Sequence, residues 1–394
     1  MAGGTAAVMS IYRLNVEQAA VVERARKVAD EEIAPHAADV DAKGRFPREG
    51  IDALGRSGFL GLNIPKEKGG MGQGLRVASA VLDEIAQRDA SLAMVYKMHL
   101  CGCACYVGFP QTGEEYFPKI VAGKHLSTLA WSEQGSRSHF WAPASQATDK
   151  DGEVVLNAQK SWVTSAGEAD GYVVSTRTAG GTGPTDTMLY LVLKGDSGVR
   201  VAGAWNGLGM RGNASNPMVL ENTSIPASRA LCKKSEGFPT MLGVVLPWFN
   251  LGNEAISVGI AEAAVAATTT HLTSRRFSDM NNAPLSDLPT LRARLAQMRI
   301  ATDTARAHLG SVLDSVEQPG PQTTLMVLES KAVGADAALL VTDLGMKACG
   351  GAAFSRHLSL ERNFRDARAG YVMAPTSDVL QEFIGRALTG MQLF

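Results

Sequence analysis

The chain has 394 residues, 45% of them hydrophobic and 20% charged, with a formal net charge of −1. That length accommodates two or three domains with substantial cores, and the near-neutral balance excludes a global field that would gather nucleic acid or an acidic membrane surface. The five cysteines, Cys101, Cys103, Cys105, Cys232 and Cys349, are odd in number, and their C-x-C-x-C cluster has neither zinc-ligand spacing nor a downstream His pair. A reducing compartment and no metal site are therefore expected.

In chain order, residues 15–126 read as helical. Val21, Ala25, Val28, Ala29 and Ile33 recur at helical spacing, and Pro35 is expected to stop that run. Helices are expected again over 49–57, 76–87 and 90–106, with a Gly-rich loop at 65–72. From 127 to 236, β-rich runs at 154–156, 161–165, 172–175, 188–193 and 218–221 alternate with turns, and the Gly/Thr-rich stretch 178–187 reads as a hairpin loop. This is a β module of barrel or sandwich type. Beyond 237 the helical period returns: Leu291, Leu295, Met298, Thr302, Ala305 and Leu309 make one apolar face, 317–324 is a helix–helix turn, and helices follow over 325–347 and 377–388. The apolar stretch 243–267 is interrupted by Pro247, Asn250, Asn253, Glu254 and Glu262, which suits a buried helix better than a membrane span. Residues 1–14 lack the basic start and apolar core of an export signal, so a cytoplasmic location is expected. The fold class is α+β: an N-terminal helical domain (1–126), a central β-barrel or sandwich domain (127–236) and a C-terminal four-helix bundle (237–394).

Gly207-Leu208-Gly209-Met210-Arg211-Gly212 has the G-x-G-x-x-G spacing of a dinucleotide fingerprint. That motif requires a helix opening on its last glycine, and here Asn213, Ser215, Pro217 and a strand-like run follow, so a turn of the β domain is expected instead.

Three segments carry a resemblance to a known family. Leu129-Ala130-Trp131-Ser132-Glu133-Gln134-Gly135-Ser136-Arg137-Ser138 resembles the "T-E-P-G-A-G-S-D" loop of acyl-CoA dehydrogenases. Lys160-Ser161-Trp162-Val163-Thr164 is similar to their "K-x-W-I-T", and Gly350-Gly351 with Glu361-Arg362-Asn363-Phe364-Arg365-Asp366-Ala367 to their "G-G … E-R-x-x-R-D-A". The resemblance extends over almost the whole chain and implies a FAD enzyme, active as a homodimer or homotetramer on a small-molecule substrate. It places Trp162 beside the flat isoalloxazine ring, Thr164 at its N5 edge, Ser132 near O2 and Ser138 at the pyrophosphate. Family members bind the adenine half across a subunit interface with an "R-x-x-F" motif: Phe277 matches, Ser274 stands at the arginine's strict position so that Arg275 or Arg276 is expected to serve in its place, Lys347 stands where many members have Gln, three residues before Gly350, and Gly350-Gly351 is the family's glycine pair. Thr376 and Asp378 match positions where the chain passes near the flavin.

One residue type is missing. The family's dehydrogenases remove the substrate's α-proton with a Glu, and both positions where members carry it hold other residues here, Ala374 (followed by Pro375) and Phe249 (followed by Asn250). A general base is worth roughly 10²–10⁴ in rate. The expected function is consequently a two-component monooxygenase of this fold: FADH2 from a partner flavin reductase and O2 form a C4a-hydroperoxyflavin that hydroxylates an indole-like aromatic, in a dry pocket with Trp131, Trp141 and Trp248 nearby. The alternatives are an acyl-CoA or acyl-carrier dehydrogenase with a relocated base and a non-catalytic flavoprotein. His99, on the helix that lines the family's substrate pocket, is the first candidate for proton transfer; Ser132 and Thr164 are the other candidate catalytic residues, with His139 and Glu254 behind them.

Overall fold

The computed structural model describes residues 11–136, 139–279 and 281–393. The N-terminal helices are α1 (Val16–Val28), α2 (Ala34–Lys43), α3 (Arg48–Arg56), α4 (Leu75–Ala86) and α5 (Ala90–Gly108). Asn15 and Gln18 open α1 with a reciprocal capping box. The expectation that Pro35 ends this run is corrected. A π-helical turn, Ala29–Ile33, follows α1, and Pro35 falls in the first turn of α2, where a missing N–H forfeits no intrahelical bond. The helical path ends instead at Gly44, whose φ of +61° suits glycine. Asp89 caps α5 by accepting from the Leu92 N–H, and α5 is buried from Ala90 to Tyr106. A helix apolar all round belongs in the interior.

The central strands are β1 (Ser127–Ala130), β2 (Thr148–Lys150), β3 (Glu153–Val163), β4 (Gly171–Arg177), β5 (Thr187–Leu193), β6 (Val199–Val201) and β7 (Asn216–Pro226). They form two sheets rather than one closed barrel: β1-β4-β5, with β1 parallel to β4, and the antiparallel β2-β3-β7-β6. The runs at 154–156 and 161–165 are not separate strands. The first run and residues 161–163 of the second belong to one strand, β3, with Thr164 and Ser165 in the turn that follows; its pairing with β7 shifts register between Leu156 and Ala158 and again between Lys160 and Val163. The second shift is where Trp162 takes φ +56°, a left-handed conformation uncommon for an aromatic residue, and it turns the end of the strand outward as a bulge does.

The C-terminal helices are α6 (Leu246–Ser274), α7 (Pro289–Glu317), α8 (Thr323–Cys349), α9 (Leu360–Val372) and α10 (Ser377–Leu388). Helix α6 is the hub, touching α4, α5, α7, α8 and α9. Gly259 lets it close on α4, because a Cβ there would lie 2.5 Å from the Asp83 carbonyl oxygen. Met298, Thr302, Ala305 and Leu309 are buried on the inner face of α7. The stretches Ala90–Gly108 and Gly237–Ser274 are long and apolar enough to cross a bilayer, but their most apolar windows are 94% and 67% buried inside the protein.

The halves are fastened through Asp83 of α4. It accepts from the Tyr12 hydroxyl at 3.0 Å and from Arg306 Nε of α7 at 3.0 Å, while Arg306 Nη1 reaches Glu262 of α6 at 2.9 Å. The Arg306 side chain is 1% exposed. Replacing Arg306 alone with Met strands a buried carboxylate, and a loss of about 3–5 kcal/mol is expected, read from denaturant midpoints; the double replacement of Asp83 and Arg306 by apolar residues should recover much of it.

Candidate active site

A cavity of about 1150 Å³ lies between the β domain and the helices. Its β wall is formed by Trp131, Ser132, Trp162 and Thr164, its helical wall by the end of α9 and the segment from Met373 to Pro375, and a third part by Met98 of α5 with Met241, Val245, Leu246 and Phe249. This third part is wholly apolar.

The β wall is held by a buried ion pair. Lys160 Nζ donates to Glu133 Oε1 at 2.6 Å and to the Ser175 carbonyl at 2.5 Å; Glu133 Oε2 accepts from the Ala144 and Ser145 N–H groups at 2.6 and 2.8 Å. Burial alone would raise the Glu133 carboxyl, but the Lys160 ammonium and these donors hold it below the usual range. Thr164 lies 2% exposed with its hydroxyl 3.2 Å from that of Ser215. Trp162 is 65% exposed and meets Trp205 edge-on at 5.5 Å. Trp131 stacks on Phe140, and its indole Nε1 is buried without a protein partner.

The glycine motif at 207–212 serves packing, in line with its rejection as a dinucleotide site. The Met210 N–H donates to Asp366 at 2.6 Å, and a Cβ on Gly209 would sit 2.4 Å from the Arg365 carbonyl, so the turn lies directly on α9. Arg365 and Arg368 of α9 also line the cavity. Arg365 pairs with Asp41 and Glu361, whereas Arg368 lies over the Phe364 ring at 3.4 Å and donates to Thr342 at 3.1 Å.

The residues that sequence reasoning grouped at the flavin separate into three sets. Ser132, Trp162 and Thr164 line the cavity. Arg275, at the end of α6, and Gly351 line a second hollow of about 860 Å³ together with His271, Ser355 and His357. The rest are engaged within the chain. Lys347 pairs with Asp343 at 2.6 Å, Thr376 caps α10, and Asp378 accepts from the Tyr371 hydroxyl at 2.8 Å. Phe277 donates its N–H to Ala283 in the turn after α6, and Gly350 ends α8 at φ +55°. Ser138 lies outside the described residues.

His99 is corrected from proton carrier to structural residue. It is fully buried; Nδ1 accepts from the Ser127 N–H at 3.0 Å, which leaves the proton on Nε2, 2.8 Å from the Leu60 carbonyl. Burial pulls the imidazole down to about 4, so it stays neutral and occupied. Glu254 meets His308 through Oε1 at 2.8 Å while its Oε2 is buried without a partner, and His139 stacks on Trp141. Neither lines the cavity. Among the described lining residues Glu133 is the one carboxylate, and its four hydrogen bonds keep it from serving as a base.

Sequence reasoning passed over Lys97. It is 1% exposed, its Nζ has no hydrogen-bond acceptor, and it lies over the Phe249 ring at 3.7 Å. The signal was legible: a lone lysine inside the apolar run 90–108, with Ala93, Met94, Leu100 and Cys101 at the helical neighbour positions. Burial pushes its amine down to about 7.

This order of helical, β and helical parts around a cavity walled by tryptophans and hydroxyls is that of a flavin-dependent oxidoreductase fold. The chain matches "Acyl-CoA dehydrogenase, N-terminal domain" over residues 15–124, "middle domain" over 128–223 and "C-terminal domain" over 236–389, and it belongs to the acyl-CoA dehydrogenase family, whose cofactor is FAD. It is 28% identical over 381 residues to the probable acyl-CoA dehydrogenase FadE25 of Mycobacterium tuberculosis, covering 96% of this chain and 97% of that protein. It is 28% identical over 375 residues to the mitochondrial isovaleryl-CoA dehydrogenase of Oryza sativa subsp. japonica, covering 93% and 90%. The fold is shared with butyryl-CoA dehydrogenase from Megasphaera elsdenii, with a TM-score of 0.88 and 24% identity over 95% of this chain and 99% of that one.

The residues present fit FAD. Trp131 Nε1 is an orphaned donor on a cavity-lining side chain, and the hydroxyls of Ser132 and Thr164 stand on the same wall.

The Lys97 environment gives a stability prediction. An unfolded lysine titrates near about 10.4, so between 7 and that value the unfolded chain binds more protons and wild-type stability rises with pH. Lys97→Met removes the buried amine. Its thermal midpoint should exceed wild type most below pH 7, and the gap should narrow as pH rises towards 10.

Proposed function

We propose that this enzyme dehydrogenates the C2–C3 bond of an acyl thioester carried on coenzyme A or an acyl carrier protein. The observation that carries the reading is the cavity itself: a wall of aromatic and hydroxyl side chains runs into an apolar end suited to an acyl chain, and the curated relatives named above are dehydrogenases. FAD, when bound, supplies the hydride acceptor for C3. The chain's own residues pack the ring (Trp162), offer donors to its edge (Thr164, Ser132 and Trp131) and exclude water from the acyl end (Met98, Met241, Phe249). In a homodimer or homotetramer, the hollow at Arg275 and Gly351 would receive the adenine half of a neighbouring subunit's FAD, with Arg275 as the cation for its phosphates. An electron-transferring flavoprotein is then the fitting redox partner.

Hydroxylation of an indole-like aromatic by FADH2 and O2, fed by a flavin reductase, yields to this reading. Its remaining support is that no free carboxylate stands among the described residues lining the cavity, and a dehydrogenase with a different proton acceptor accounts for that equally well.

Anaerobic mixing of the FAD-loaded enzyme with short, branched and carboxylated acyl thioesters should bleach the oxidised flavin, with a product two hydrogens lighter by mass spectrometry. No bleaching with any of them, alongside hydroxylated indole when reduced FAD and O2 are supplied, would reverse the order of the two readings.

A further inference from the structure

We propose that the Lys97 amine is the proton acceptor of this oxidation, covered at rest by the Phe249 ring. The inference rests on the acyl-thioester reading above. Phe249 lines the apolar end of the cavity and occupies one of the two positions where the resembling family carries its carboxylate; the Lys97 ammonium nitrogen lies 3.7 Å from the centre of that ring. On this proposal, rotation of the Phe249 side chain, which lies between the amine and the lined cavity, opens the amine to substrate.

The surroundings favour a neutral amine. On its own helix the nearest ionisable group is the Cys101 thiol, which burial pushes up to about 12. From α8, Lys331 is buried as well, and that burial, with the Lys97 charge adding to it, pulls its amine down to about 7. Lys331 differs from Lys97 in its partners: it donates to three carbonyls, those of Gly370 at 2.7 Å, Met373 at 3.1 Å and Pro375 at 2.9 Å, and so anchors the segment carrying Ala374. On α6, the Asn250 amide oxygen forms no hydrogen bond with it, and Glu254 meets His308 through Oε1 with Oε2 left unpartnered. From α4, Asp83 is taken by Tyr12 and Arg306, and Glu84 by Arg88. Among these described groups Lys97 is the amine without an acceptor, and burial draws its proton affinity down to about 7.

The step balances. The C2–H bond breaks and its proton adds to the Lys97 –NH2, giving –NH3⁺. The electron pair left at C2 forms the C2=C3 bond, and C3 releases hydride to the FAD of the preceding reading. The ammonium returns its proton to solvent after the product leaves.

Acetyl-CoA isolates the proton transfer, because its C2 protons are acidic and it has no C3 to oxidise. In D2O the FAD-loaded wild type should introduce deuterium at C2, read by mass spectrometry, with a rate that falls as pH drops below 7. Lys97→Met and Lys97→Arg, the second of which keeps the charge but cannot accept a proton, should each exchange at least 100-fold more slowly while binding butyryl-CoA within about threefold of wild type by calorimetry. Retained exchange in either lysine variant would overturn the proposal while leaving flavin bleaching by acyl thioesters, and with it the dehydrogenase reading, intact. Wild type that neither exchanges acetyl-CoA nor bleaches with any thioester would sink both.

Discussion

A buried Lys160–Glu133 pair decides the shape of the site. It joins the turn after β1 to β3, and through the Ala144 and Ser145 amides it also holds the loop that carries Phe140 and Trp141. Two charges can leave water together only when nearly every lone pair and proton is matched, and here the carboxylate takes two backbone amides, a hydroxyl and the ammonium. The ladder breaks just beyond Lys160, and Trp162 and Thr164 project where the cavity needs an aromatic surface and a hydroxyl. The same commitment makes Glu133 useless as a base: a carboxylate spent on architecture has no lone pair to spare for a substrate proton.

Under the proposed dehydrogenase reading, that division of labour leaves no working carboxylate among the described residues that line the cavity. In water an acyl thioester's α-proton is out of reach of any side chain at neutral pH, and a buried carboxylate is one way to bring an acceptor to it. A buried amine is another. Carboxylates rise on burial and amines fall, so both converge on neutrality from opposite sides, and each then accepts a proton without first shedding a tight counter-ion. Replacing the acid at two positions with Phe249 and Ala374 while an unpartnered lysine lies under that phenylalanine is chemically coherent.

Much of the architecture was legible in the sequence. The three-part order, the buried helix at 90–106 and the apolar face of α7 follow from periodicity and composition alone. Pro35 misled because a π turn reset the helix just before it, and a proline in a first turn looks the same in sequence as one that terminates. Strand β3 was read as two runs because its bulges interrupt the alternation. At the site, the β wall could be named from motifs, since Ser132, Trp162 and Thr164 sit in contiguous segments. His99 was misjudged because nothing in the sequence announces that Leu60 and Ser127 would claim both ring nitrogens. Lys97 was overlooked for the complementary reason: a lysine in a chain is presumed solvated, and only packing shows that α4, α6 and α8 leave it without an acceptor.

The most direct measurement is a crystal structure of the enzyme with FAD and a bound, unoxidised acyl thioester. The account predicts the isoalloxazine against Trp162 and Thr164, the acyl chain among Met98, Met241 and Leu246, and the Phe249 ring turned aside with Lys97 Nζ facing C2. A flavin bound elsewhere, or a carboxylate poised at C2 with Lys97 still sealed behind Phe249, would contradict it.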